Sequence, residues 1–497
     1  MKVFINTPQC CYPKNIPEAD QYIFIEHPYL FGIRPNTSGG KMKFHPFKWI
    51  LLRAAGSYYC EKSFPKKHTF IPFQEKPDYH LPQNAEWILF EHTDLDFTKQ
   101  LEQLAKKSNS TISWITSPLF ILDYDYIQNY PTKKRLQQTP FYIENRKLFQ
   151  ILVKNNKPTG GKWTYDTENR QPLPPNYPLP KIPISHSPDA RKHIKKAIEW
   201  VQTMSSFTSP YFQGNLEDFW CPITPKDALK WFKSFLKKRF QLFGEFQDGI
   251  TKRTDYPFLF HSAISSSLNI GLLEPMSAIQ MALSAKAPLP AQEGFIRQIL
   301  GWREFQRLIY YKLGNQIRSM NYFHHQRRLT DAWYLGQTQI PPLDDAIHMA
   351  FHYGYLHHIL RLMVVSNLMN LATIHPDDVY RWFMEFSVDS WDWVMIGNVY
   401  SMGLYADGGL TTSKVYISSS NYEQIRESDY KEVKEPENWR KVWDSLYWNM
   451  IGTNPDAMKA MGRFGPIQKK FWERKTDTEK KEFQQIAKDF IQNLTHK

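Results

Sequence analysis

The chain runs to 497 residues, enough for two or three domains with a sizeable core. It carries 62 Lys and Arg against 49 Asp and Glu, a net charge of +13 that favours a polyanionic partner. Its 4 cysteines, Cys10, Cys11, Cys60 and Cys221, include no CxxC pair, which argues against a disulfide scaffold and against cysteine metal spacing.

Taken in chain order, the first 140 residues read as α/β. Residues 2–5, 21–26, 86–90 and 111–115 are short apolar or β-branched runs, suited to buried parallel strands. Helical patterns at 46–59 and 97–107 alternate with them, which predicts a doubly wound, Rossmann-like sheet over residues 1–140. No GxGxxG follows the first strand, so the dinucleotide fingerprint is missing. Residues 141–187 form a connector. Its 157–166 and 172–183 stretches are rich in Pro and Gly, which disfavour regular helix. Residues 188–497 read as an all-α domain, with helical spacing at 190–204, 225–243, 293–313, 344–371 and 376–386. Thr224, Asp344 and Asp345 are read as helix caps. Residues 431–497 are charged and helical, with a closing segment expected to fray.

Four segments of the helical part carry chemistry. In 258–273, Ser262, Ser265, Ser266 and Ser267 crowd the start of an apolar helix. Hydroxyls and free amides there suit a pyrophosphate, or act as plain caps. In 293–305, Arg297, Gln298, Trp302, Arg303 and Glu304 sit on a mostly apolar helix, as a ligand-facing stripe or a surface salt bridge. In 353–361, the adjacent His357 and His358 point about 100° apart on a helix, so one can face a cleft while the other packs. Arg361 follows one turn later, and a histidine can donate a proton to a developing oxyanion. His348 and His352 are one turn apart, but no HExxH frame accompanies them and a metal is disfavoured. The 389–409 stretch, with Asp389, Trp391, Trp393, Met395 and Asn398, is too rich in Trp and Gly for a plain amphipathic helix. It reads as a ligand-wrapping turn or a loop packed by its aromatics. No run approaches the ~20 apolar residues of a spanning helix and no signal peptide is visible. A soluble, cytoplasmic protein without a membrane partner is expected.

The motifs GFIRQILGWREF, HHILR, DSWDWVMIGNV and YADGG, with the connector GGKWTYDTENR, resemble the bacterial (6-4) photolyases, also called iron–sulfur bacterial cryptochromes and photolyases. The likeness runs from about residue 43 and is strongest over 258–422. It implies FAD, bent into a U, within the helical domain. His261, Ser262 and Ser265 would meet its phosphates. Gln298, Trp302 and Arg303 would line the flavin and lesion pocket. Arg361 and Asp389 would pair beside the isoalloxazine, near Met395 and Asn398, and a guanidinium there stabilises an anionic reduced flavin. His358 matches the repair histidine, with His357 beside it. Tyr416 and Tyr422 would stack on extruded bases, and Trp302 and Lys162 would contact DNA. Trp382 matches the photoreduction path, with Trp391 and Trp393 as further relays. The implied activity is light-driven electron donation from reduced FAD to a flipped (6-4) lesion in UV-damaged DNA, by a monomer at the nucleoid.

Several positions depart from that pattern. Pro342 stands at the first cluster cysteine, 428–434 replaces the later group, and no Cys follows Cys221. Iron in such clusters needs thiolates, so no iron–sulfur cluster is expected. Trp439, Trp443 and Trp448 are expected to pack in its place. Phe383 replaces a tyrosine, and Met395 replaces a carboxylate near the redox nitrogen of the flavin. The ribityllumazine antenna of the relatives is left without assigned ligands, because the N-terminal stretch departs. The alternatives are a cryptochrome-like light sensor that binds FAD without repair, a cyclobutane-dimer photolyase, and a nucleic-acid-binding relic of the fold.

Overall fold

Five short strands near the N-terminus make one parallel sheet: β1 (Lys2–Asn6), β2 (Gln21–Ile25), β3 (Thr69–Ile71), β4 (Glu86–Phe90) and β5 (Thr111–Ile115), in the order β3-β2-β1-β4-β5. The computed structural model describes residues 1–34, 40–75, 79–91, 93–132, 135–182 and 184–496; Pro183 of the predicted connector lies outside them. In the central strand, Phe4 stands opposite Tyr22 on one side and Ile88 on the other. Val3, Phe4 and Ile5 are fully buried, as expected of a parallel strand covered on both faces. The sequence pattern missed β3, whose three residues are too few to show a period. Helices Pro46–Lys62 and Leu95–Lys107 flank the sheet. Asp94 starts the second by accepting from Phe97 N at 3.0 Å.

The predicted connector is not without regular structure: the helix Gln138–Leu148 crosses its boundary at 140, and Val153–Lys154 pairs antiparallel with Lys157–Pro158; beyond these, side chains hold it. The Arg146 guanidinium donates to Ile151 O, Leu152 O and Trp163 O, and Glu293 accepts from Tyr165 N at 3.0 Å.

The helical part corrects the sequence reading at several breaks. The predicted helix 225–243 is two helices, Pro225–Lys238 and Phe240–Phe246, interrupted at Arg239, whose Nη1 donates to His261 O at 2.5 Å. Thr224 does cap the first, accepting from Asp227 N at 3.0 Å. The predicted helix 344–371 starts earlier and is broken. Pro341–Tyr353 ends at Gly354, with φ +62°, where a Cβ would meet Val388 Cγ1 at 2.9 Å. Asp344 and Asp345 lie inside that helix and do not cap it. Asp344 accepts from Thr338 N and Gln339 N, and Asp345 from the Tyr430 hydroxyl at 2.7 Å.

The 389–409 stretch is helical too: a short α turn, Asp392–Met395, runs into a π-helical segment, Ile396–Gly403. The closing segment is not loose. Thr495–His496 pairs with Arg328–Leu329, and Trp333 Nε1 donates to Leu494 O at 2.8 Å.

Polar clamps join the two parts. Glu304 accepts from Ile121 N at 2.9 Å and Leu122 N at 3.3 Å, while Arg303 donates to Leu119 O and Arg307 to Leu122 O and Glu91. These bonds put the helix 304–318 at the carboxyl edge of the sheet. No described helix is long and apolar enough to cross a membrane.

Candidate functional site

The buried half of the site centres on one ion pair. Arg361 Nη2 lies 3.0 Å from Asp389 Oδ1, and both side chains are about nine-tenths buried. Asp389 also accepts from Ser265 Oγ and Ser387 Oγ, each at 2.5 Å. Burial opposes its charge, but Arg361 and the two hydroxyls outweigh burial and hold the carboxyl below its ordinary range. Arg361 is fixed in turn by Nε donating to Leu356 O at 2.7 Å. Ser265 thus serves the carboxylate, and Ser262 offers its carbonyl to Trp231 Nε1.

Beside this pair stand three histidines. His261 stacks on His357, ring centroids 4.8 Å apart, and His358 meets His261 edge-on at 5.4 Å. Burial, then repulsion from neighbouring histidines and an arginine, pushes His261 and His357 far below the ordinary histidine range, so both are neutral. His358 opens outward, with 42% of its side chain exposed, and its Nε2 lies 3.1 Å from Asp248 Oδ1. That carboxylate gives the ring nitrogen a fixed partner and so orients it.

The outer wall of the cleft is aromatic and charged. Burial, and then the Asp248 carboxylate, push the Tyr422 hydroxyl upward against the pull of Arg170. Tyr416 is pushed up by burial with the same Arg170 and Asp166 nearby. The connector therefore brings Asp166 and Arg170 near Tyr416, and Arg170 near Tyr422. Lys162 is exposed on that connector, with Nζ 2.6 Å from Glu168.

Three site segments share an unusual backbone. Arg297–Arg303, Leu360–Ser366 and Ile396–Gly403 are all π-helical, a conformation rare in helices and frequent at functional sites. They carry Gln298, Trp302 and Arg303, then Arg361, then Asn398, with Met395 fully buried just before the last. Gln298, Trp302 and Asn398 are half-buried. Arg303 lies over both Phe120 and Trp393, 4.5 and 5.0 Å from centroids that are themselves 5.0 Å apart, and with Glu304 joins the two parts of the chain. The predicted stripe is thus partly an interdomain joint.

The tryptophans fall into separate places. Trp382 is one aromatic layer from the ion pair: Arg361 lies 5.4 Å from the Phe386 ring, which lies 4.7 Å from the Trp382 ring. Phe383 stands beside Trp382 at 5.2 Å. Trp391 lies under Lys48 Nζ at 5.1 Å, and burial draws that ammonium down to about 7 despite the pull of Asp389.

Sequence reasoning missed Asp248, Arg170, Asn269 and Ser387. Asn269 bridges the site, donating to Asp389 O at 3.0 Å and accepting from Arg303. None of these four sits in a periodic pattern, so only the fold assembles them.

Several buried polar atoms of these segments have no protein partner, among them His261 Nε2, Ser267 Oγ, His357 Nδ1, Arg239 Nη2 and Trp391 Nε1. Buried polar groups are costly unless satisfied. A ligand rich in phosphate, hydroxyl and ring nitrogen or oxygen fits this donor and acceptor set, and FAD is such a ligand.

Residues 13–220 match the family model described as deoxyribodipyrimidine photo-lyase-related protein, and residues 295–432 match the FAD binding domain of DNA photolyase. A (6-4) photolyase of Agrobacterium fabrum is 34% identical over 372 residues, which cover 73% of this chain and 71% of the relative. The chain belongs to the photolyase/cryptochrome family. Solved structures of the family share the fold. A cryptochrome from Synechocystis superposes with TM-score 0.58 at 14% identity, over 97% of this chain and 93% of that one. A bacterial class III photolyase from Agrobacterium tumefaciens gives 0.53 at 15% identity, over 99% and 98%. The Rossmann-like sheet followed by a helical part is therefore the photolyase architecture. The matched FAD-binding region includes Arg361, Asp389 and all three π-helical segments.

Proposed function

We propose that this chain is a light-driven DNA photolyase of the (6-4) type, acting on UV-damaged DNA with FAD as its cofactor. The observation that carries the reading is the placement of His358: half-exposed, held 3.1 Å from Asp248, whose charge also acts on Tyr422, and three residues before Arg361 of the buried Arg361–Asp389 pair. A cleft of this kind suits a base turned out of the duplex, which costs least where pairing is already damaged. The activity of the Agrobacterium fabrum relative supports the same lesion class.

His261, Ser262, Ser265, Gln298, Arg303, Arg361, Asp389, Met395 and Asn398 are proposed to hold the FAD. The reduced, photoexcited flavin supplies the electron for repair when it is bound. The chain's own residues do the rest. Arg361 holds positive charge at the buried end, and Asp389 keeps it oriented. His358 delivers a proton to the lesion from the ring nitrogen that Asp248 does not hold, Nδ1, with Asp248 fixing the ring through Nε2 and the neutral His357 packing behind. Tyr416, Tyr422 and Trp302 stack against extruded bases, Lys162 meets backbone phosphate, and Trp382, Trp391 and Trp393 are proposed electron relays. The proposed division remains 1–140, 141–187 and 188–497, with a monomer as the working form.

We also infer that the chain carries no iron–sulfur cluster. No thiol lies after Cys221, and by the family resemblance Pro342 stands at the first ligand position and 428–434 replaces the later group. Trp443 is fully buried there and Trp439 Nε1 donates to Val433 O, so packing fills the region. Stoichiometric iron and sulfide in purified protein would overturn this. A ribityllumazine-type antenna is proposed without assigned ligands. Its release on denaturation is the check.

Repair of (6-4) and cyclobutane-dimer oligonucleotides under blue light tests the main proposal. Turnover of the (6-4) substrate is expected, abolished in His358→Ala while the flavin spectrum persists. A flavin spectrum with neither lesion repaired would favour a light sensor.

A further inference from the structure

Of the large apolar side chains that stand exposed among the described residues, three lie close together near the C-terminus: Phe464 at 40%, Ile467 at 49% and Phe471 at 49%. Spacings of three and four residues put them along one side of the helix Gly465–Glu473. The helix is not loose. Trp472 packs on its other side against Gly452, where a Cβ would collide with the indole, and stacks on Trp448 at 6.4 Å. The apolar stripe is therefore presented outward by a docked element.

Exposed cations flank the stripe. Arg463, Lys470 and Arg474 fall on its edge by helical spacing, with Lys469 and Lys475 nearby and Glu473 the single acid between 459 and 475. Arg463 lies over the Phe464 ring at 5.0 Å. Lys414 reaches both ways: its Nζ is 5.5 Å from the Phe464 ring and 5.4 Å from the Tyr416 ring. The patch is thus continuous with the proposed lesion cleft. Burial lowers the Lys414 ammonium, and repulsion from Arg170 and Arg463 lowers it further. Like charges crowded in this way are relieved by a polyanion.

We propose that the face formed by Phe464, Ile467 and Phe471, with Arg463, Lys470 and Arg474 on its rim, is a second duplex-DNA contact that grips the strand flanking a base held in the cleft. The cations meet phosphates and position the duplex. Phe464, nearest the cleft, packs its ring against the sugar or base step exposed there, as apolar side chains do at distorted steps. The inference rests on the photolyase reading of the cleft.

Binding of the full-length protein to lesion-containing and intact duplexes tests it, with a short duplex that barely spans the lesion and a long one of about three helical turns. The expected result is that Lys470→Glu/Arg474→Glu weakens binding to the long lesion duplex about tenfold, leaves the short one unchanged, and reduces the salt slope by about 0.9 for each phosphate no longer neutralised. Phe464→Ala should weaken binding to the long lesion duplex several-fold without altering the salt slope. Both variants binding the long duplex as the wild type does would overturn the proposal, as would a wild-type dimer that Phe464→Ala dissociates with DNA affinity intact. Failure of the cleft reading looks different: the wild type would then show no preference for lesion over intact duplex, whatever the variants do.

Discussion

Asp248 is the residue whose role the geometry makes plainest. Its Oδ1 sits 3.1 Å from His358 Nε2, and it has Tyr422 and Arg170 for neighbours. Asp248→Asn keeps a hydrogen-bonding group and removes the charge, so the ring stays placed while its partner is weaker. Repair is expected to fall about tenfold to a hundredfold, with lesion binding within a few-fold of wild type, measured as turnover against affinity on one (6-4) oligonucleotide. An equal fall in both would make Asp248 a binding residue instead. Met395 poses the opposite question. It is fully buried and cannot exchange a proton, where the family resemblance leads one to expect a carboxylate. Met395→Glu is expected to change which flavin redox state accumulates on illumination, followed by absorption spectra; identical spectra would remove Met395 from redox control.

At the scale of elements, the clamp around Glu304 holds the helix 304–318 to the sheet edge. Its carboxylate is buried between Arg307 and Arg303, and accepts from two backbone amides of the 121–122 turn. Glu304→Ala would leave two amides without their acceptor and remove a carboxylate from beside two guanidiniums, which keep Glu91, Asn269 and the carbonyls of 119 and 122. A drop of about 3 kcal/mol in unfolding free energy is expected by denaturant titration, within the range for breaking one side of a buried ion pair. A second element is tuned by pH. Glu385, on helix Pro376–Phe386, accepts from Lys43 N at 3.0 Å, and burial pushes its carboxyl up to about 7. Between about 4.5 and 7 the native state keeps a proton that the unfolded chain has released. The wild type should therefore lose stability as pH rises through that window, by about 3 kcal/mol, while Glu385→Gln should not. Parallel pH profiles for the two proteins would exclude Glu385 as the cause.

For the whole molecule, the charge of +13 and the helical cleft point to one physical behaviour, association dominated by phosphate contacts. With about five such contacts, the logarithm of the affinity for duplex DNA should fall with the logarithm of salt at a slope near −4.5. A slope near zero would mean that the basic surface does not meet the backbone. The same scale shows what was legible beforehand. Strands β1, β2, β4 and β5 were readable because buried parallel strands are unbroken apolar runs. The helix 376–386 was readable because its buried face recurs at helical spacing. The break at Gly354 was missed although a glycine past a helical run is a local stop signal, because the apolar spacing resumes beyond it and hides the stop. The joint role of Arg303 and Glu304 was equally hidden, because their partners are backbone groups of 119–122.

The sequence alone determined the class of the protein and most of its chemical parts: an α/β stretch, a helical stretch, a basic excess, no cysteine set for a cluster, and the paired motifs around His358, Arg361 and Asp389. Those are properties of local pattern and composition, which need no partner to be expressed. Only the tertiary structure decided that Asp248 and Arg170 join His358, that Ser265 serves Asp389, and that three site segments wind as π-helix. Each depends on contacts between residues tens to hundreds of positions apart, and pairing at that distance leaves no periodic trace in the chain.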